Sequence, residues 1–84
     1  MAGLLTLSDD TFESVTEPTF ILFYAPWCGH CKWVKPLWSD MAETSAVQTA
    51  EIDCDANVLT CERFDVTGYP SFKLIDHGSV YDYS

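Results

Sequence analysis

The segment Phe20-Ile21-Leu22-Phe23-Tyr24 is apolar without alternation, the pattern of a short strand buried on both faces of a sheet. Leu4-Leu5-Thr6-Leu7 reads as a shorter strand before it. Between the two, a helix is expected from Ser8-Asp9-Asp10 to about Val15, with Ser8 capping free amides, the aspartates complementing the dipole, and Glu17-Pro18 ending it. After the central strand, Val34, Trp38, Met41, Ala42 and Ser45 recur at helical spacing and predict an amphipathic helix over about 28–46. Pro36 inside it predicts a kink. A third strand centred on Ala50-Glu51-Ile52 lies within 47–53, and Asn57 is the expected N-cap of a short helix over 58–64. Segments 71–75 and 79–83 flank Asp76-His77-Gly78, a hairpin signal with Gly78 free to take positive φ.

The resulting order, β-α-β-α-β-α-β-β over 1–84, is an α/β fold: one domain with a mixed, mostly parallel sheet flanked by helices. The sequence stops at Ser84, directly after the last strand, whereas such a sheet needs helices on both faces. One face is therefore expected to be under-covered, and the chain to be a fragment of a longer multidomain protein that supplies a further helix.

Composition narrows the function classes. With 48% hydrophobic residues the chain packs a core rather than staying disordered, and no run reaches the ~20 apolar residues of a membrane span. Thirteen acids against four bases give a net charge of −9, which disfavours nucleic acid and anionic membranes as partners.

The chemistry is concentrated in Ala25-Pro26-Trp27-Cys28-Gly29-His30-Cys31-Lys32. A Cys-x-x-Cys pair delivered by a strand to a helix start is a redox pair first and a metal clip second. At a helix N-terminus, unpaired amides and the positive dipole end favour thiolate over thiol, so Cys28 is the expected nucleophile. Gly29 is expected to let the backbone pack tightly, and His30 to stabilise the thiolate with a charge or hydrogen bond. Cys31, one turn further in, is the expected resolving thiol. A zinc site would need two more ligands, and Cys54 with Cys61 has the wrong spacing for a second Cys-x2-Cys half, so no metal is expected.

Together with Pro36 and the downstream Gly68-Tyr69-Pro70-Ser71-Phe72, the segment from Phe23 to Lys32 closely resembles a catalytic domain of the protein disulfide isomerase family, within the thioredoxin fold. The resemblance implies a thiol-disulfide oxidoreductase that forms and rearranges disulfides through Cys28 and Cys31 with no cofactor beyond that redox-active pair. It implies that Pro70 is cis and opposite the cysteines, that the Tyr69 backbone pairs with an extended substrate, and that Trp27 flanks the nucleophile. Its implied partners are unfolded or misoxidised protein thiols and disulfides and a reoxidising partner or glutathione, in the endoplasmic reticulum lumen. The readings that compete with it are a thioredoxin-like disulfide reductase, whose usual residue at position 30 is Pro, and a chaperone-like substrate-binding module.

Two departures from the family stand out. Leu22 occupies the position of the family's buried acid, which takes the resolving cysteine's proton, and the family's mobile arginine falls beyond Ser84. Glu51, on the neighbouring strand, is the candidate replacement proton acceptor. Cys54 and Cys61 bracket six residues and are read as a structural disulfide, with two buried free thiols as the alternative. Trp33 is expected to stand exposed beside the redox pair, either holding substrate or packing on a further part of the chain. Lys32 and Lys35 read as solvated helix charges, and Asp53, Asp55, Glu62 and Asp65 as a solvated acidic patch.

Overall fold

The computed structural model describes residues 3–83. Strands β1 (Leu4–Leu7), β2 (Thr19–Tyr24), β3 (Gln48–Asp53), β4 (Ser71–Asp76) and β5 (Ser79–Tyr83) form one sheet in the order β1-β3-β2-β4-β5. Strands β1, β3 and β2 run parallel, β4 is antiparallel to β2, and β5 is antiparallel to β4. The sheet is thus mixed, with β1, β2, β3 and β5 running one way and β4 the other, because the tight turn after Asp76 can join only antiparallel strands. That turn places both His77 (φ 49) and Gly78 (φ 88) in the left-handed region, the pairing that matches the strands' twist.

Strand β2 is the spine. Ile21, Leu22 and Phe23 are fully buried, as a strand covered on both faces requires. Ile21 and Phe23 point with Leu7, Phe12, Ala50, Ile52, Cys54 and Cys61 into the main core, which Phe64, Val66 and Ile75 extend. Helix α2 (Val58–Arg63) closes that side. The opposite face carries helix α1 (Gly29–Thr44), which is anchored where the Trp38 indole donates to the Ala50 carbonyl at 2.8 Å and packs on Phe72, centroids 5.3 Å apart. The helix runs unbroken through Pro36.

The expected first helix is replaced by a single 3-10 turn, Phe12–Ser14. Ser8 and Thr11 explain the difference by satisfying each other: the Ser8 amide donates to Thr11 Oγ1 at 2.9 Å and the Thr11 amide to Ser8 Oγ at 3.3 Å. Side chains of this type compete with helix propagation. Asp9 is drawn elsewhere. Its carboxylate accepts from the Thr60 amide at 2.8 Å and the Thr60 hydroxyl at 2.6 Å, so it caps α2 from 51 positions away. Asn57 therefore does not cap that helix with its side chain. Its Oδ1 accepts from the Asp9 amide at 2.9 Å and its Nδ2 donates to the Asp53 carbonyl at 3.0 Å, tying the first loop to the β3–α2 loop. The Thr60 hydroxyl, followed by the Thr60 and Leu59 amides, holds the Asp9 carboxyl below the usual carboxylate range.

Strand β5 is exposed along its whole length, and Tyr81 and Tyr83 share the α1 side of the sheet with Phe72 and Leu74, their register partners. Tyr83 stacks edge-on against Phe20 at 5.3 Å. The face expected to be under-covered is this one, and no described residue after Tyr83 covers it; Ser84 lies outside the described residues. No helix of the described residues is long and apolar enough to cross a membrane.

Candidate active site

Strand β2 ends at Tyr24, and the chain turns through buried Ala25 and exposed Pro26 and Trp27 before α1 begins. The Cys28 amide donates to the Ala25 carbonyl at 3.1 Å, fixing that turn. Cys28 itself is extended (φ −79, ψ 120) and occupies the N-cap of α1, so the helix starts at Gly29. The cap position normally holds an oxygen acceptor. Here the Cys28 sulfur fills that role, accepting from the Cys31 amide at 3.2 Å.

Both cysteines are free thiols, Cys28 at 8% exposure and Cys31 at 1%. With Ala25 they form a small cluster on which Tyr24 and Tyr69 pack. The two thiols are driven apart. The Cys31 thiol donating to it, with the Cys31 and His30 amides, holds Cys28 below the ordinary thiol range against the opposing effect of burial. Burial, and then the bond and charge of Cys28, push Cys31 upward. The thiolate is thus favoured at Cys28 and disfavoured at Cys31.

The His30 ring is exposed and is not among the hydrogen-bond partners of the Cys28 sulfur. Gly29 departs from expectation. A β-carbon there would meet nothing within 4 Å, so tight packing does not require glycine at that position.

The Tyr69-Pro70 peptide bond is cis. Tyr69 packs on the cysteine cluster and meets Trp27 edge-on at 5.7 Å, leaving Trp27 66% exposed. Trp33 is 70% exposed on α1. Cys54 and Cys61 are joined by a disulfide, both buried in the main core. Asp53 belongs only partly to the expected solvated patch, because its Oδ1 accepts from the amides of Asp55 at 2.9 Å and Ala56 at 3.3 Å.

Glu51 lies in register with Leu22 on β2, which is fully buried. Its side chain is 12% exposed, and its Oε1 is buried without a hydrogen-bond partner, 3.8 Å from Lys35 Nζ. Lys35 also stands 4.0 Å over the Tyr24 ring. It is therefore not a solvated helix charge but a link between Glu51 and an aromatic that touches the cysteine cluster. The signal was present in the periodicity: Cys31, Lys35, Trp38 and Ala42 share one helix face. No three His, Cys, Asp or Glu side chains among the described residues gather as a metal-binding group.

The family model for thioredoxin matches residues 3–84. The chain is 41% identical over 88 residues to "Protein disulfide-isomerase 1" of Dictyostelium discoideum, covering 93% of this chain and 24% of that protein. It is 37% identical to "Protein disulfide-isomerase A4" of Bos taurus, covering 96% of this chain and 14% of the relative. The chain thus spans a quarter or less of the length of these two relatives. Among solved structures, ERdj5 superposes with TM-score 0.88 at 20% identity over 99% of this chain and 12% of that one, a likeness of fold. Thioredoxin of Schistosoma mansoni gives TM-score 0.88 at 26% identity, covering 96% of this chain and 82% of that one. A cysteine pair at the start of α1, a cis proline packed beside it through Tyr69, and a family match across the described fold lead to one conclusion: the chain belongs to the thioredoxin family.

Proposed function

We propose that the chain is a thiol-disulfide oxidoreductase of the isomerase type, acting on protein thiols and disulfides as one domain of a longer multidomain protein of the endoplasmic reticulum lumen. The observation that carries this reading is the split between the two cysteines: Cys28 capping α1 with its sulfur, Cys31 buried behind it. In the oxidising direction a substrate thiolate attacks the Cys28 sulfur of the Cys28–Cys31 disulfide, and Cys31 leaves as thiolate. A second substrate thiolate then attacks the substrate sulfur of the mixed disulfide and expels Cys28. Two electrons pass from the substrate dithiol to the pair, and a reoxidising partner or glutathione disulfide removes them. In isomerisation, reduced Cys28 attacks a wrong substrate disulfide, and Cys31 releases a trapped substrate by attacking the Cys28 sulfur.

Trp27, Tyr69 and Pro70 are the proposed substrate-contacting residues, with Trp33 as an exposed apolar contact. Glu51 is the proposed proton acceptor for Cys31 in place of an acid at position 22; its buried oxygen, which has no hydrogen-bond partner and an ion-pair contact only with Lys35, supports that role. Refolding of a scrambled disulfide protein tests the reading: the chain accelerates recovery, and Cys28→Ser removes the acceleration. No acceleration by the unaltered chain, or equal acceleration by the variant, contradicts it. The likeness to thioredoxin structures favours a second reading, a disulfide reductase. A reduction potential near ~−270 mV supports the reductase, and one near ~−180 mV the isomerase.

A further inference from the structure

The Glu51 carboxylate has no hydrogen-bond donor at its buried oxygen, yet it is not free. That Oε1 lies 3.8 Å from Lys35 Nζ, and Lys35 is its only ion-pair partner among the described residues. Strand alternation puts Glu51 on the same sheet face as its register partner Leu22 and as Tyr24, two positions further along β2. Lys35 meets both Glu51 and Tyr24 on that face from α1.

Lys35 is itself held. Its Nζ stands 4.0 Å from the centre of the Tyr24 ring, and Tyr24 packs on the cluster of Ala25, Cys28 and Cys31. Along α1 it lies one turn past Cys31, on the same helix face. A continuous set of contacts thus runs from Glu51 through Lys35 and Tyr24 to the cysteines.

The geometry of the pair suits a placed acceptor. With 36% of the Lys35 side chain and 12% of the Glu51 side chain exposed, the pair is neither fully solvated nor fully buried. A carboxylate at that depth with no donor is costly unless a counter-charge stands near it, so removing the ammonium leaves the flexible Glu51 stem to swing toward water. A separation of 3.8 Å is too long for a hydrogen bond. The ammonium therefore attracts the carboxylate without occupying the lone pairs of Oε1.

We infer that Lys35 is a positioning residue for the resolving step: its ammonium, pinned over Tyr24, holds the Glu51 carboxylate against α1 with an oxygen open to a proton. This rests on the reading of Glu51 as proton acceptor and names the residue that places it. In the step served, Glu51 takes the Cys31 thiol proton, and the Cys31 thiolate attacks the Cys28 sulfur of the mixed disulfide. The Cys28–Cys31 bond forms, the substrate leaves as thiolate, and Glu51 passes its proton to solvent. Over the two attacks the cysteine pair loses two electrons and the substrate disulfide gains two.

The test mixes reduced protein with 2-hydroxyethyl disulfide and reads, by rapid acid quench and mass spectrometry, the formation and decay of the 2-mercaptoethanol adduct on Cys28 in a single turnover. Lys35→Met and Lys35→Gln remove the charge and keep most of the stem, and Lys35→Arg keeps the charge. Lys32→Met removes an exposed charge beside Cys31 that is in no ion pair among the described residues. Thermal unfolding of each variant reports any structural effect separately.

Adduct formation is expected at the same rate in all of them. Adduct decay is expected to slow by about tenfold in Lys35→Met and Lys35→Gln, between the small worth of an exposed pair and the large cost of breaking a buried one. Lys35→Arg restores it and Lys32→Met leaves it unchanged. Added to Glu51→Gln, Lys35→Met causes no further slowing, because the two residues act as one unit. Undiminished decay in both uncharged Lys35 variants, no rescue by Arg, equal slowing by Lys32→Met, or additive slowing in the double variant overturns the role of Lys35. Undiminished decay in Glu51→Gln contradicts the acceptor reading itself, whereas slowing in Glu51→Gln with none in Lys35→Met contradicts only the inference about Lys35.

Discussion

The amide of Cys31 donates to the sulfur of Cys28 across 3.2 Å, so the residue proposed to resolve the mixed disulfide also prepares the residue that forms it. The bond exists because Cys28 takes the extended backbone of a helix cap while Cys31 is already inside α1. With the Cys28 thiol lowered and that of Cys31 raised, their reactivities separate along the pH axis. Alkylation of Cys28 in the reduced protein rises with pH and levels off below the ordinary thiol range of about 8.5. Cys31 stays unmodified until higher pH. Mass spectrometry of partly alkylated protein, peptide by peptide, checks this; equal labelling of the two cysteines across pH would contradict it.

Asp9 and Thr60 make a second long-range pair whose loss has a stated direction. Because the folded Asp9 carboxyl is held below its unfolded value, its contribution to stability is present above the ordinary carboxylate range and is lost as pH falls through the folded value. Asp9→Ala removes the acceptor for the Thr60 amide and hydroxyl and leaves the start of α2 uncapped. Thermal unfolding at neutral pH is expected a few degrees lower in the variant, with the difference narrowing in acid. A constant difference down to pH 2 would show that the carboxylate's charge contributes nothing.

The Cys54–Cys61 bridge spans a sequence separation of 7 and ties the end of β3 to α2. In the chain-entropy model a loop of this size contributes about 2.5 kcal/mol. The double variant Cys54→Ala/Cys61→Ala should therefore lower the denaturation midpoint by at least that equivalent, since both side chains also leave the main core. Exchange at Cys28 in the folded variant is expected to persist. Equal midpoints for the two proteins would refute a stabilising role.

Glu51 and Lys35 supply the test of proton handling. If the buried carboxylate takes the Cys31 proton, Glu51→Gln slows turnover of a small disulfide by on the order of 100-fold, without slowing the first attack by Cys28. Single-turnover and steady-state rates separate the two steps. A steady-state rate unchanged across pH would remove Glu51 from the mechanism.

What was readable in the sequence was local. The apolar run of β2, the Cys-x-x-Cys at the next helix start and the turn at Asp76-His77-Gly78 each depend on neighbours within a few positions, and each fell where expected. The misreadings are long-range. Asp9 looked like the dipole partner of its own helix, and only the fold brings it to Thr60. Lys35 looked solvated because its carboxylate partner sits on a strand 16 positions away. Gly29 was assigned a role from residue type, whereas the backbone leaves open space where close packing was expected.

The account turns on Cys28 as attacker and Cys31 as resolver, and trapping tests that order directly. Reduced Cys31→Ser protein is mixed with a peptide disulfide and the products are mapped by mass spectrometry. The predicted result is a stable mixed disulfide on Cys28, absent from the unaltered protein, which releases the peptide through Cys31. No adduct on Cys28, or an adduct of equal lifetime in the unaltered protein, would contradict it.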